Sequence, residues 1–208
     1  MSTKQTLTKN HLMKTMNPIK MPPMSIPNIF TLSRIALIPL FVVIFYLPWK
    51  GAHILSAIIF TLAAMTDWLD GYLARTLKQI SAFGKFLDPV ADKLMVAVAL
   101  VLIVGEYQGQ FQVTLAIPAA IIVGREIVIS ALREWMAEIG KSRSVAVSFL
   151  GKIKTTFQML ALILLLAQPV RLWNGLLINL GILLLWISAF LTLWSMLIYL
   201  RAAYRELN

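Results

Sequence analysis

The sequence has no cysteine and only two histidines, His11 and His53, so it offers no disulfide framework and little that would hold zinc. Charge is scarce as well. Only 13% of residues are charged, against roughly a quarter in soluble domains. Acidic residues are scarcest of all, nine Asp and Glu against nineteen Lys and Arg, for a net charge of +10. A cleavable leader is not expected. The first long apolar run begins only after Arg34, and its flank, Pro48-Trp49-Lys50, lacks a small-x-small cleavage pattern.

What fills the chain instead is apolar: 59% hydrophobic residues and a mean hydropathy of +0.80. Charge-free runs cover Ile35–Trp49, Ile54–Thr66, Leu94–Gly105, Phe111–Gly124, Thr155–Val170 and Leu172–Leu200. About 20 apolar residues in a helix cross a hydrocarbon core of roughly 30 Å, and the shorter runs reach that length if their ends lie among headgroups. The pattern predicts an all-α integral membrane protein with six transmembrane helices. Helix 1 is expected to end near Leu47, with helices 2 and 3 near 52–75 and 84–104. Helices 4, 5 and 6 are expected near 112–138, 150–167 and 174–202. Residues 1–24 read as a polar N-terminal arm and 25–208 as one membrane domain. The arm is read as a solvated tail rather than a lipid contact.

With both termini cytoplasmic, Lys50, Arg171 and Glu106 fall outside, and the other Lys and Arg fall inside. That asymmetry is the positive-inside pattern. It accounts for the basic balance through topology, so no nucleic-acid partner is expected.

The four aspartates of the chain are Asp67, Asp70, Asp88 and Asp92, on two consecutive predicted helices. Each carboxylate in a membrane span costs at least a few kcal/mol, which makes such residues functional candidates. Spacings of i,i+3 and i,i+4 put each pair on one helix face. The intervening turn is short, so helices 2 and 3 are expected to be antiparallel neighbours with converging acidic faces. Four such groups repel one another unless a hard divalent cation joins them, and an all-oxygen set suits Mg²⁺ or Mn²⁺. Simple salt bridges to Arg75, Lys85 and Lys93 are the competing explanation. They leave unexplained why Gly71 and Ala74 share the face of Asp67 and Asp70. Pro89 suggests that helix 3 starts or kinks at that point.

The full spacing, Asp67-x2-Asp70-Gly71-x2-Ala74-Arg75-x8-Gly84-x3-Asp88-x3-Asp92, resembles the signature of the CDP-alcohol phosphatidyltransferase family. The resemblance implies a six-helix, dimeric membrane enzyme with two divalent metals, in which an alcohol displaces CMP from a CDP-linked lipid. Carried over residue by residue, it implies that Asp67, Asp70 and Asp88 are metal ligands. Asp92 is then a metal-proximal general base. Gly71, Ala74, Arg75, Ser81 and Gly84 line the nucleotide pocket, with Asn28 and Thr31 at its edge. Further stretches resemble the bacterial branch of that family, which transfers a phosphatidyl group from CDP-diacylglycerol to sn-glycerol 3-phosphate at the cytoplasmic face of the inner membrane. These are Ile26-Pro27-Asn28-x2-Thr31-x2-Arg34, Gly124-Arg125-Glu126-Ile127, Ser130 to Glu138, Val145 to Ser148, Gly151-Lys152-Ile153-Lys154-Thr155 and Leu193-Trp194-Ser195-Met196.

A phosphorylated acceptor needs cations of its own. Arg125 lies at a depth in helix 4 comparable with that of Asp67 in helix 2, and Arg133, Lys152 and Lys154 lie nearby in sequence. These four are the candidate acceptor-phosphate residues. The competing explanation pairs Arg125 with Glu126 or Glu134. Lys141 and Arg143 read as topology signals. Other acceptors within the family are serine, inositol phosphate and phosphatidylglycerol. An intramembrane prenyltransferase has different aspartate spacing, and a divalent-cation transporter spreads acidic groups through the membrane depth.

Overall fold

The computed structural model describes residues 26–77, 82–107, 109–140, 149–167 and 175–207. Side chains are described throughout these segments except at 26–31, 67–77, 82–86, 88, 110, 149, 150, 152, 206 and 207. Every regular element among the described residues is a helix: α1 Ile26–Phe45, α2 Ala52–Leu77, α3 Ala82–Glu106, α4 Gln110–Glu138, α5 Phe149–Leu166 and α6 Gly175–Leu207. A helix satisfies its own backbone, which is the requirement that a lipid environment imposes. Two stretches, Phe111–Glu138 and Gly175–Arg205, are long and apolar enough to cross a membrane, and Leu32–Phe45, Ala52–Thr66 and Ile153–Leu166 are shorter apolar helical stretches.

The outward surface is as apolar as the interior. Val101, Val113, Phe190 and Leu176 are all more than 60% exposed, on a scale that a water-facing monomer avoids. Proline sits inside three helices, at Pro39, Pro89 and Pro118. Each removes a backbone hydrogen bond, a loss that packed membrane helices tolerate.

α1 packs against α2 and α3, α2 against α5, α3 against α4, and α6 against both α5 and α4. α2 and α3 also touch one another and line one cavity together, so they are neighbours as expected, with α1 and α5 packed beside them. Helix ends differ from expectation. α3 starts at Ala82 and carries Pro89 inside, so the proline does not begin the helix. α6 continues to Leu207, because Arg201-Ala202-Ala203-Tyr204-Arg205-Glu206-Leu207 is rich in good helix formers. α4 stops at Glu138, and Gly140 follows with φ 74°, a left-handed geometry that favours glycine at a helix C-terminus. α5 and α6 lie so close that a Cβ at Gly181 would sit 2.9 Å from Leu165 Cγ.

The main core occupies the middle of the bundle and the end where α1 turns into α2. Phe41, Phe60, Leu100, Ile103, Leu115, Leu162, Leu165 and Leu185 are all essentially fully buried there. Phe41 and Phe60 meet ring to ring at 6.4 Å. Tyr107 closes this end by donating to the Leu165 carbonyl at 3.4 Å. Burial, with the Glu106 carboxylate beside it, pushes its hydroxyl up to about 12. A smaller cluster of Ile129, Met136, Tyr199 and Ala203 joins α4 to α6 at the opposite end.

Candidate active site

The sequence-predicted residues gather at the end of the bundle opposite Tyr107. Asp67 lies ten residues before the end of α2 at Leu77, and Asp92 lies ten residues after the start of α3 at Ala82. At 1.5 Å per residue both stand about 15 Å from the α2–α3 connection. Asp70 and Asp88 match one another in the same way, nearer the connection. Gly71, Ala74 and Arg75 follow on α2, Gly84 lies in the first turn of α3, and Asn28 and Thr31 lie in the first turns of α1. Of all these residues, Asp92 alone has its side chain described. Ser81 lies outside the described residues, as do Lys141 and Arg143.

Asp92 is half-buried and opens on a small cavity of about 10 Å³ between α1, α2, α3 and α5. Arg34, Phe60, Ala63, Met95 and Met159 help to line it. That volume holds about one water. Arg34 is only 3% exposed, a buried guanidinium on the same cavity as a carboxylate. Its position was legible as part of Ile26-Pro27-Asn28-x2-Thr31-x2-Arg34, yet nothing in the sequence directed it at Asp92.

The donor set suits a hard divalent cation. It consists of oxygen alone, with two carboxylates on each of two helices at matched heights and a half-buried aspartate at the deeper level. Among the described residues no three acidic or imidazole side chains form a group, since only Asp92 of the four is described beyond its backbone.

Beside this centre lies a cluster of cations. Arg125 on α4 is 6% exposed and Lys154 on α5 is 5% exposed. One oxygen, Glu126 Oε1, accepts from both, Arg125 Nη1 at 2.8 Å and Lys154 Nζ at 3.2 Å. Arg125 Nη2 donates to Ser195 Oγ on α6 at 3.2 Å, while its buried Nε has no hydrogen-bond partner among the described residues. The Tyr199 ring carries Arg125 at 5.8 Å and Arg133 at 5.9 Å from its centroid, within cation–π range. Lys93, the residue after Asp92, donates to Ser130 Oγ on α4. Ser130 in turn donates to the Glu126 carbonyl.

The pairing of Arg125 with Glu126, one of the two explanations open from sequence, is thus present, whereas Glu134 is exposed. Glu126 lies within the influence of three cations, Lys93, Arg125 and Lys154, and buried charges persist only where they are paired or hydrogen-bonded. Of the predicted acceptor residues, the structure brings together Arg125 and Lys154, and it sets Arg133 at the exposed rim. Lys152 lies on α5 with its side chain outside the described set. Among the described residues Lys93 donates to a serine; the side chains of Asp67, Asp70 and Asp88 lie outside the described set.

Comparison with known proteins follows the same lines. The family model described as CDP-alcohol phosphatidyltransferase matches residues 24–194. A protein of Pectobacterium atrosepticum named CDP-diacylglycerol--glycerol-3-phosphate 3-phosphatidyltransferase is 58% identical over 183 residues, covering 88% of this chain and 97% of its own. Proteins with the same name from Sodalis glossinidius and Salmonella paratyphi A are 56% and 54% identical, with the same shares covered.

Proposed function

We propose that this chain, which belongs to the CDP-alcohol phosphatidyltransferase family, transfers the phosphatidyl group of CDP-diacylglycerol to sn-glycerol 3-phosphate, giving phosphatidylglycerophosphate and CMP. What carries the reading is that relatives named for this reaction align over nearly their whole length. The buried cations Arg125 and Lys154, on the helices beside that of Asp92, support a phosphorylated acceptor over serine.

In this reading the six helices span the bacterial inner membrane with both termini in the cytoplasm. The aspartate end lies at the cytoplasmic face, where the water-soluble acceptor is found. The chain works as a homodimer, and residues 1–24 form an arm outside the catalytic domain of 25–208.

The acceptor hydroxyl oxygen attacks the phosphorus that bears diacylglycerol. The bond from that phosphorus to the bridging oxygen breaks, and CMP leaves with that oxygen. Asp92 takes the hydroxyl proton on its carboxylate, where an ordinary aspartate is a weak base and depends on its neighbours for geometry. Asp67, Asp70, Asp88 and Asp92 would hold two divalent ions, Mg²⁺ or Mn²⁺, which would offset the charge of the diphosphate and of the leaving oxygen. Gly71, Ala74 and Gly84 leave room for the nucleotide backbone, Arg75 forks onto phosphate oxygens, and Ser81, Asn28 and Thr31 complete the pocket. Arg125 and Lys154, with Arg133 and Lys152 towards the rim, hold the acceptor's phosphate.

The test follows the transferred atom. Purified protein is given CDP-diacylglycerol labelled at the phosphorus next to diacylglycerol, with glycerol 3-phosphate and Mg²⁺. The label is expected in a lipid that also carries an unlabelled phosphate monoester. Label released with the nucleotide would place the broken bond elsewhere and overturn the reading.

A further inference from the structure

Asp92 and Lys93 are consecutive residues whose side chains leave α3 in different directions. Asp92 faces the cavity shared with α1, α2 and α5, and Lys93 reaches Ser130 on α4. Residues one apart on a helix do not share a face, so this divergence is built into α3. Through Ser130, Lys93 adjoins Glu126, whose carboxylate gathers Arg125 and Lys154. An ammonium has three donors, and the one described hydrogen bond of Lys93 goes to a neutral hydroxyl. Among the described residues, buried Arg125 Nε has no hydrogen-bond partner. Three cations, Lys93, Arg125 and Lys154, thus converge on Glu126 at the point where α3 meets the cluster.

We propose that Lys93 is a third cation of the acceptor site, binding the acceptor's phosphate directly and tying it to the hydroxyl end held at Asp92. This rests on the phosphorylated-acceptor reading above and adds a residue to it. One helix then fixes both ends of the acceptor. The base and the phosphate-binding ammonium are separated by one peptide unit, so their spacing does not vary with packing between helices. A non-phosphorylated alcohol leaves the ammonium without its anion and gains nothing from the arrangement.

The test uses the full chain in lipid nanodiscs, with Lys93→Gln, Lys93→Arg and Ser130→Ala beside wild type. The readouts are KM for glycerol 3-phosphate, KM for CDP-diacylglycerol, and competitive inhibition by inorganic phosphate. Lys93→Gln is expected to weaken both glycerol 3-phosphate and inorganic phosphate on the order of 10- to 100-fold, the usual loss for a hydrogen bond to a charged group. The CDP-lipid response should stay as in wild type. Lys93→Arg keeps the charge and is expected to recover most phosphate inhibition. Ser130→Ala removes the α3–α4 tie but not the cation and should leave phosphate inhibition near wild type. Equal losses in Lys93→Gln and Ser130→Ala, or unchanged phosphate inhibition in Lys93→Gln, would make Lys93 a helix tie only and overturn the proposal. If Lys93→Gln fails to fold, Lys93→Arg and Ser130→Ala decide alone: the proposal needs phosphate inhibition preserved in both. A wild-type protein inert towards glycerol 3-phosphate would strike the acceptor reading itself, whatever the variants do.

Discussion

The two ends of the bundle are built on opposite principles. At the Tyr107 end, burial is apolar and aromatic. Phe41, Phe45, Phe60, Ile103, Leu162 and Leu165 fill the space, and the few polar groups, such as Tyr107 and His53 beside Glu106 at 3.9 Å, close the rim. At the aspartate end the buried groups are Arg34, Arg125, Lys154, Gln158, Ser195 and half-buried Asp92. Four of these helices change character along their length. α1 runs from Arg34 to Phe45, α3 from Asp92 to Ile103, α5 from Lys154 to Leu166, and α6 in reverse from Leu185 to Ser195. Stability is concentrated at one end and chemistry at the other. A fold arranged in this way can hold charged groups where a substrate will meet them, because the other end supplies the packing.

That contrast can be broken in several ways. The largest expected effect is loss of the metal. Chelation with EDTA should abolish CMP release, and Mg²⁺ or Mn²⁺ should restore it, without unfolding the bundle, since the apolar end contains no ligand. Full turnover in excess chelator would remove the metal from the account. Next comes Asp92→Asn, expected to lower kcat on the order of a thousandfold, the mid-range for a general base, with CDP-diacylglycerol still bound. Near-normal turnover would leave Asp92 a structural role.

Arg125→Ala should cost about 2 to 4 kcal/mol in kcat/KM for glycerol 3-phosphate. Arg125→Lys should rescue it poorly, because an ammonium does not reproduce the guanidinium fork. Loss of CDP-lipid affinity instead would move Arg125 to the nucleotide side. At the other end the balance reverses. Leu162→Ala should destabilise the fold by about 2 to 5 kcal/mol, read as a lowered unfolding midpoint, while kcat/KM of the folded fraction holds. The smallest effect is Tyr107→Phe, about 1 kcal/mol of stability for one hydrogen bond and no change in turnover. A large activity loss in either apolar-end variant would show that the two ends are coupled after all.

Much of this was legible in the sequence. Long charge-free runs marked the helices, since a helix in an apolar setting declares itself by composition. Their ends were less legible: α6 continues past its expected end near 202 into an Arg- and Glu-bearing turn, where polarity changes but helix propensity does not. The aspartates stood out because carboxylates are rare in such a chain and their spacing is strict. Arg125 was legible as a cation too deep to be a topology signal. The partners of these residues were not. That Glu126 serves both Arg125 and Lys154, that Arg34 shares a cavity with Asp92, and that Lys93 reaches Ser130 all depend on how α1, α4 and α5 sit against α3. Periodicity within one helix carries no information about that arrangement.

The central claim is the identity of the acceptor, and one competition measures it. Purified protein in nanodiscs receives CDP-diacylglycerol, Mg²⁺ and an equimolar mixture of glycerol 3-phosphate, serine, inositol phosphate and phosphatidylglycerol, and the lipid products are resolved by mass. The account predicts phosphatidylglycerophosphate as the dominant product, formed one for one with CMP. A dominant product from any other acceptor, or CMP release with no new phospholipid, would contradict it.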